Sequence, residues 1–180
     1  MNRIIVVTAL LFALLCCAER SVASDQNAVV AALQFVEKSM VAGKVDEVVP
    51  LLKEGATRKR GKPGSLLEAL RRDQKIHKTA PPPGWDMRLR EIYVVHGDEK
   101  EQFKDRMLRH FRAQGKNVTE QEANISADAI AKPYGLTKDR TVCLLFYERS
   151  RENGPVSVKA VLVALEKIDG KFLVAHVWDE

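Results

Sequence analysis

Cysteine is scarce in this chain of 180 residues, and its placement excludes a disulfide-held fold. Of the three cysteines, Cys16 and Cys17 lie in an apolar N-terminal segment. Without that segment Cys143 is alone and no intramolecular disulfide can form, so packing must stabilise the fold. Because Cys143 lies inside the apolar run 142–146, we expect it to be buried and inert rather than a reactive thiol.

Long apolar runs are absent after the N-terminus. There, the run Ile4–Cys17 follows Arg3 and is interrupted only by Thr8. A basic residue before a short apolar stretch is typical of an export signal, and the run is shorter than the roughly 20 residues of a membrane-spanning helix. We predict cleavage near Ser24, an uncleaved anchor being the alternative. Residues 1–24 would then be a signal peptide and 25–180 a single exported domain, secreted or periplasmic, with no transmembrane span.

Sequence motifs for catalysis, cofactors and metals are also missing. His77, His96, His110 and His176 belong to no His-x-x-x-His or Cys-x-x-Cys pattern, so we predict no metal site and no cofactor. No residue lies in a nucleophile elbow, and we predict no catalytic residue. We expect His110 to be solvated on a helix edge and His176 to be a hydrogen-bonded core residue.

Positive charge is concentrated in one segment. The precursor has 29 basic and 24 acidic residues, and the predicted mature chain has a net charge of +4. Residues 53–78 contain nine basic and three acidic side chains. Such a segment can bind an acidic polymer or an anionic membrane surface, and a solvated helix face is the alternative. The candidate anion-binding residues are Arg58, Lys59, Arg60, Lys62, Arg71 and Arg72.

The first half of the predicted domain is expected to be mainly helical. Apolar residues at helical spacing over 28–42 predict a helix that ends at Gly43. Asp46 can cap a short second helix that stops at Gly55, and a basic loop over 57–64 follows.

A third helix and the first strand come next. Ser65 and Glu68 form a capping box that opens a helix over 66–77, and the proline run 81–83 must end it. Leu, Ile, Tyr and Val are frequent over 88–96, which favours a strand.

Two helices are predicted as an insertion after this first strand. The residues Asp98 and Glu101 form a second capping box, before a helix with one apolar stripe. A weaker helix is expected over 119–132, before Pro133 interrupts it.

The last forty residues predict an antiparallel meander. Three β-rich runs over 141–149, 156–167 and 171–178 are separated by Asn153-Gly154 and Asp169-Gly170, which suit tight hairpin turns. Two-residue turns would place Glu148 opposite Lys159, Phe146 opposite Val161, Leu144 opposite Val163, Leu165 opposite Val174, and Val163 opposite His176.

Neither face of this predicted sheet is polar. In that register Ala160 and Ala164 share a face with Cys143, leaving room for a closely packed helix or for a cavity. A sheet that is apolar on both sides must be covered on both, by helices, by its own curvature or by a second subunit.

The order of elements resembles a known superfamily. Amphipathic helices containing the segments 43–46 and 48–52 precede a meander that ends in the segment 166–174. This pattern resembles the nuclear transport factor 2-like superfamily of cone-shaped α+β domains, particularly its small exported members of unknown function. The resemblance implies an α+β fold in which N-terminal helices pack on a curved antiparallel β-meander, with a helical insertion after the first strand.

For function, the resemblance implies a pocket but no defined reaction. The expected function is an exported, non-enzymatic binding or protein-interaction module that takes a small apolar ligand or a second copy of itself across the sheet. The alternatives are a small isomerase-type or cyclase-type enzyme and a binder of acidic polymers or membrane surfaces. The candidate pocket residues, which combine apolar area with a polar tip, are Trp85, Tyr93, Tyr147, His176 and Trp178.

Overall fold

The computed structural model describes residues 22–59, 65–77, 85–113, 131–151, 154 and 156–179. The predicted signal peptide lies outside these ranges apart from its last three residues, as do the proline run 81–83 and nearly all of the predicted helix 119–132.

The described part of the chain begins with a helix that changes its pitch. Helix α1 spans Val22–Val36 and continues as a π-helical turn over Glu37–Val41. Inside this turn the Ser39 hydroxyl donates a hydrogen bond to the Phe35 carbonyl oxygen at 2.6 Å. The chain then reverses at Gly43, whose φ of 65° lies in the left-handed region that glycine tolerates. The predicted first helix and its end are confirmed.

The next segment differs from the prediction. Residues Val45–Leu51 form a 3₁₀ helix, and strand β1 occupies Leu52–Lys59, where we expected a short helix followed by a basic loop. The sequence of β1 lacks apolar alternation, so its strand conformation depends on pairing with another strand. It pairs in parallel with the final strand, with Arg58 opposite Val177. This long-range contact overrides the local sequence preference.

The remaining helices begin where the sequence predicts. Helix α2 spans Leu66–His77, and the Glu68 backbone N–H donates to the Ser65 hydroxyl at 3.2 Å, as the capping box predicts. Strand β2 covers Trp85–His96 and helix α3 covers Lys100–Ala113. A 3₁₀ turn over Lys132–Tyr134 leads back to the sheet.

Five strands form one sheet. Strands β3, β4 and β5 span Arg140–Arg151, Ser157–Ile168 and Lys171–Asp179. The order is β1-β5-β4-β3-β2, and every pair except β1 with β5 is antiparallel. Asp169 and Gly170 both have positive φ, 49° and 79°, as the predicted two-residue turn requires. The α+β class and the meander are confirmed, and β1 adds a parallel edge.

The predicted register between β3 and β4 is wrong by one residue. Glu148 lies opposite Val158, and Tyr147 lies opposite Lys159. The connection spans residues 152–156 and is therefore longer than the two-residue turn on which the prediction depended. Because side chains alternate along a strand, a shift of one residue exchanges the two faces of β4.

The observed register between β4 and β5 agrees with the predicted one near the turn and differs from it farther along the strands. Leu165 lies opposite Val174, as predicted, but a bulge follows. It places Val163 opposite Val177 instead of His176. The extra residue of a bulge also bends the strand, which favours a curved sheet.

Helices cover both faces of the sheet. Helices α1 and α2 pack on one face, and α3 packs on the other. The first core contains Cys143, Leu145, Tyr147, Val161, Val163 and Leu165. The second contains Val142, Leu144, Phe146, Ala160, Leu162 and Ala164. Ala160 and Ala164, beside which the sequence left room for a closely packed helix or a cavity, face α3.

A candidate ligand-binding cleft beside α3

A cleft of about 720 Å³ lies between α3 and strands β2, β3 and β4. Helix α3 lines it with residues at spacings of three, four and seven, namely Arg106, Arg109, His110 and Ala113. Such positions lie on one face of a helix. The cleft therefore follows from the way in which α3 crosses the sheet.

The floor of the cleft is aromatic. Tyr93 and Phe146 meet edge to face, with ring centroids 6.0 Å apart and an interplanar angle of 77°. The His110 ring lies 4.7 Å from the Phe146 ring. His110 is only 7% exposed, so the prediction that it is solvated is wrong. The signal was present in the sequence, because His110 continues the buried helical stripe of Phe103 and Met107.

Arg106 stacks on Tyr93 at one wall of the cleft. The Arg106 guanidinium lies over the Tyr93 ring, 3.7 Å from its centroid. The Tyr93 hydroxyl donates to Glu91 Oε2 at 2.5 Å. This hydrogen bond, together with burial, raises the pKa of Tyr93, so the phenol stays protonated near neutral pH. The Tyr93 hydroxyl and the Glu91 carboxylate are therefore hydrogen-bonded to each other.

The charge around the cleft is mainly positive. Arg90, Arg106 and Arg109 line it, whereas Glu91 supplies one carboxylate. Arg90 also lies 3.6 Å from Glu148. Among the residues that the structure describes, no ion pair to a carboxylate is found for Arg109, which lies on the exposed part of α3. The cleft therefore joins an apolar floor to a cationic rim.

Comparisons with known proteins identify the fold. No protein-family model and no curated protein matches the sequence. The structure is similar to the association domain of C. elegans CaMKII, with a TM-score of 0.52, 9% identity and coverage of 88% of this chain and 95% of that one. It is also similar to a Nostoc punctiforme protein of unknown function with a cystatin-like fold, with a TM-score of 0.53, 10% identity and coverage of 91% and 94%.

The fold is cystatin-like. A weaker similarity, with a TM-score of 0.46 and 11% identity, is to an NTF2-like protein of unknown function from Shewanella baltica, covering 91% of this chain and 97% of that one. The α+β fold that the sequence resemblance implied is confirmed by the similarity to the cystatin-like Nostoc punctiforme protein. Identities this low concern the fold alone, so any function must be argued from the cleft.

Of the five predicted pocket residues, Tyr93 lies in the cleft. Tyr147 is buried on the opposite face of the sheet, in the core beneath α1 and α2. Burial, and secondarily the charge of Glu37, raise the pKa of Tyr147 well above its ordinary value. Trp85 begins β2, where its backbone lies opposite Arg151.

The other two predicted pocket residues lie on β5. The Thr57 hydroxyl and His176 Nδ1 are hydrogen-bonded at 2.8 Å, as expected for a hydrogen-bonded histidine. The Trp178 ring lies 4.8 Å from the Tyr134 ring, edge to face. The structure thus places Tyr93 at the cleft, Tyr147 in the opposite core, and His176 and Trp178 on β5, while the side chain of Trp85 lies outside the described residues.

The predicted basic segment is divided by the fold. Arg71 and Arg72 lie on the exposed side of α2, and Arg71 Nη2 lies 3.2 Å from Asp46. The Arg58 guanidinium is an internal group with an exposed side-chain fraction of only 8%. Lys59 ends β1, and its side chain lies outside the described residues, as do Arg60 and Lys62. Binding of an acidic polymer here stays a prediction.

Within the described ranges, no group of three His, Cys, Asp or Glu side chains is positioned to hold a metal ion. No helix in the same ranges combines the length and apolarity needed to cross a membrane. Cys143 is fully buried, and burial, followed by the charge of Asp25, raises the pKa of its thiol well above the ordinary value. The predicted burial of Cys143 is confirmed, and its inertness stays a prediction.

Proposed function

We propose that this protein is an exported, non-enzymatic binding module whose cleft beside α3 takes a small ligand. The observation that carries the proposal is the cleft itself. Its volume of about 720 Å³ lies within the range of small-molecule sites, roughly 300–1,000 Å³. An apolar floor beside a few convergent polar groups is the usual composition of such a site.

The opposite face of the sheet offers less room for a ligand. Phe35 and Leu66 from the helices are fully buried against Leu145 from β3. Close packing of this kind is typical of a core that stabilises the fold. The cleft beside α3, by contrast, is lined by aromatic side chains beside charged groups.

The export part of the proposal depends on the N-terminal sequence. Cleavage near Ser24 would fall within the first turn of α1, which begins at Val22. The new N-terminus would lie next to Asp25, whose carboxylate is 3.1 Å from His96 Nε2 on β2. This contact would still attach the start of the shortened helix to the sheet.

Native mass spectrometry of the mature protein, purified from its own host, tests the binding proposal. We expect a mass above that of the chain, from a co-purifying small molecule that is lost on denaturation. A dimer without added mass would instead support a second copy as the partner. A bare monomer, combined with no binding of small aromatic probes, would contradict the proposal.

A pair of variants on α3 localises any binding to the cleft. Ala113 is exposed and lines the cleft, so Ala113→Trp places a large ring at its edge. We expect this change to lower probe affinity at least about tenfold, because the ring occupies the ligand volume. Gln102→Trp adds the same ring on an exposed part of α3 away from the cleft and should leave affinity unchanged. Equal affinities in the two variants would place binding elsewhere.

Acid–base catalysis is the second candidate function. It is favoured by Glu91, Tyr93 and His110, three titratable side chains that line the same cleft. The ligand recovered from the native protein distinguishes the two functions. A module returns the ligand chemically unchanged after prolonged incubation, whereas an enzyme converts it, and Glu91→Gln then abolishes the conversion.

A further inference from the structure

We infer that the ligand of this cleft is an organic anion with a planar, aromatic body. The inference rests on the proposed function, because it names the class of small molecule that the cleft would take. It follows from two features that are combined in the cleft, an aromatic floor and an excess of arginine.

The aromatic floor selects a planar group. The rings of Tyr93, Phe146 and His110 contact one another in succession, with centroid separations of 6.0 and 4.7 Å. Arg106 lies over the Tyr93 ring at 3.7 Å, which shows that a flat cationic group already stacks on this surface. A planar ligand can extend the same stack, because aromatic rings favour offset or edge-to-face neighbours.

The arginines at the rim of the cleft favour a negatively charged ligand. Arg106 and Arg109 come from α3 and Arg90 from β2, so guanidinium groups stand on two sides of the cleft. Glu91, the one carboxylate among the described residues of the lining, already accepts a hydrogen bond from the Tyr93 hydroxyl. An anion entering between α3 and β2 would meet donors that suit carboxylate, sulfonate or phosphate groups in a forked geometry.

A neutral apolar ligand fits these observations less well. It would offer no acceptor to the guanidinium groups of Arg106 and Arg109 at the rim, whereas an anionic group would supply one. The sequence-based expectation of a purely apolar ligand is therefore replaced by that of a molecule with one flat apolar part and one anionic part.

Two fluorescent probes that differ by one charged group test the inference. The neutral N-phenyl-1-naphthylamine and the anionic 8-anilino-1-naphthalenesulfonate share the same ring system, and the second adds a sulfonate. We expect the mature protein to bind the anionic probe at least about tenfold more tightly, because a hydrogen bond between arginine and an anion is stronger than one between neutral groups. The affinities are measured by fluorescence titration at low and at moderate salt.

Arginine variants show whether the preference arises in the cleft. In Arg90→Gln/Arg109→Gln, the ratio of the two affinities should fall towards one. The matched control, Arg71→Gln/Arg72→Gln, removes the same charge from the exposed side of α2 and should keep the wild-type ratio. Circular dichroism and thermal unfolding establish that both variants fold.

Each outcome has a separate meaning. Equal affinity of the wild type for the two probes overturns the anion inference but leaves the binding module intact. Failure of both probes to bind contradicts the proposed function itself, and the inference with it. If the control variant loses the preference as fully as the cleft variant, the preference reflects overall charge, and the inference is wrong. If the Ala113→Trp variant still binds the probes, they bind outside the cleft, and the inference is again wrong.

Discussion

At the scale of single residues, Arg58 shows how far a side chain can depart from its sequence context. It belongs to the most basic segment of the chain, yet its guanidinium is buried between two carboxylates. Nε and Nη2 donate to the two oxygens of Asp179 at 3.0 and 2.7 Å, and Nη1 donates to Asp73 at 2.5 Å. Arg58 thereby joins β1 to the end of β5 and to α2.

The charge state of Arg58 follows from these partners. Burial disfavours the charged form, but the hydrogen bonds and charges of Asp179 and Asp73 outweigh burial and raise the pKa of Arg58. Its positive charge is therefore permanent and is neutralised internally. Arg58 contributes to the fold and adds little to any surface for acidic polymers.

Replacing Arg58 should destabilise the whole domain. In Arg58→Met, Asp179 is left beside an apolar side chain with only 11% of its own side chain exposed. We expect the free energy of unfolding in urea to fall by about 3 kcal/mol, as when one partner of a buried ion pair is removed. The control Arg72→Met changes an exposed arginine on α2 and should stay within about 0.5 kcal/mol of wild type. Equal effects of the two changes would contradict the internal role of Arg58.

At the scale of elements, β1 is the strand with the weakest local signal, and ion pairs reinforce its position. Lys53 of β1 and Arg140 of β3 both contact the carboxylate of Glu166 on β4, and Arg140 Nε lies 2.8 Å from Glu166 Oε1. Hydrogen bonding to Lys53 is the largest of several causes that lower the pKa of Glu166, although burial opposes the shift. One carboxylate thus connects three strands.

The lowered pKa of Glu166 predicts how stability depends on pH. A carboxyl group whose folded pKa is below its unfolded value, near 4.5, stabilises the fold fully above that value and loses this contribution as pH falls through the folded pKa. Glu166→Gln should therefore be less stable than wild type at pH 7, and the difference should shrink below pH 4.5. Urea unfolding across this pH range measures the difference.

The exposed Glu54 on β1 provides the control for this measurement. Glu54→Gln removes a carboxylate from the same edge strand, and its stability should follow that of wild type across the pH range. A difference between Glu166→Gln and wild type that persists unchanged below pH 4 would show that ionisation of Glu166 does not support the strands.

At the scale of the whole molecule, both faces of one sheet are covered by elements from different parts of the chain. The N-terminal helices cover the face that contains Cys143, and α3, from the insertion after β2, covers the face that contains Phe146. The sequence predicted that both faces must be covered. The cleft arises on the second face, where aromatic and charged side chains of α3, β2 and β3 line it.

Export predicts a specific mature N-terminus. We expect the protein isolated from the host's exported fraction to begin within about three residues of Asp25, as measured by N-terminal sequencing or intact mass. The variant Leu14→Arg places a charge in the apolar run and should retain the uncleaved precursor inside the cell. Asp25→Asn lies beyond the predicted cleavage point and serves as a control that should still be processed. An exported protein that retains residues 1–24 would support the anchor alternative.

Local sequence signals predicted much of the fold. The capping box at Ser65 defines the start of α2, Asp169-Gly170 defines the last hairpin, and the apolar stripe containing Phe103 and Met107 defines the buried side of α3. Each signal acts through neighbouring residues, where backbone geometry and side-chain spacing are set by the chain itself. These features can therefore be predicted from the sequence.

Long-range contacts decided the rest. Strand β1 forms because β5 offers it an edge, and the faces of β4 depend on a connection of five residues whose conformation the dipeptide Asn153-Gly154 does not determine. The cleft depends on residues from α3, β2 and β3, including Arg106, Tyr93 and Phe146, that meet only after the sheet has assembled. The sequence by itself determined the elements and the need to cover both faces. Only the tertiary structure decided which side chains share a site, because that depends on register and helix placement between distant parts of the chain.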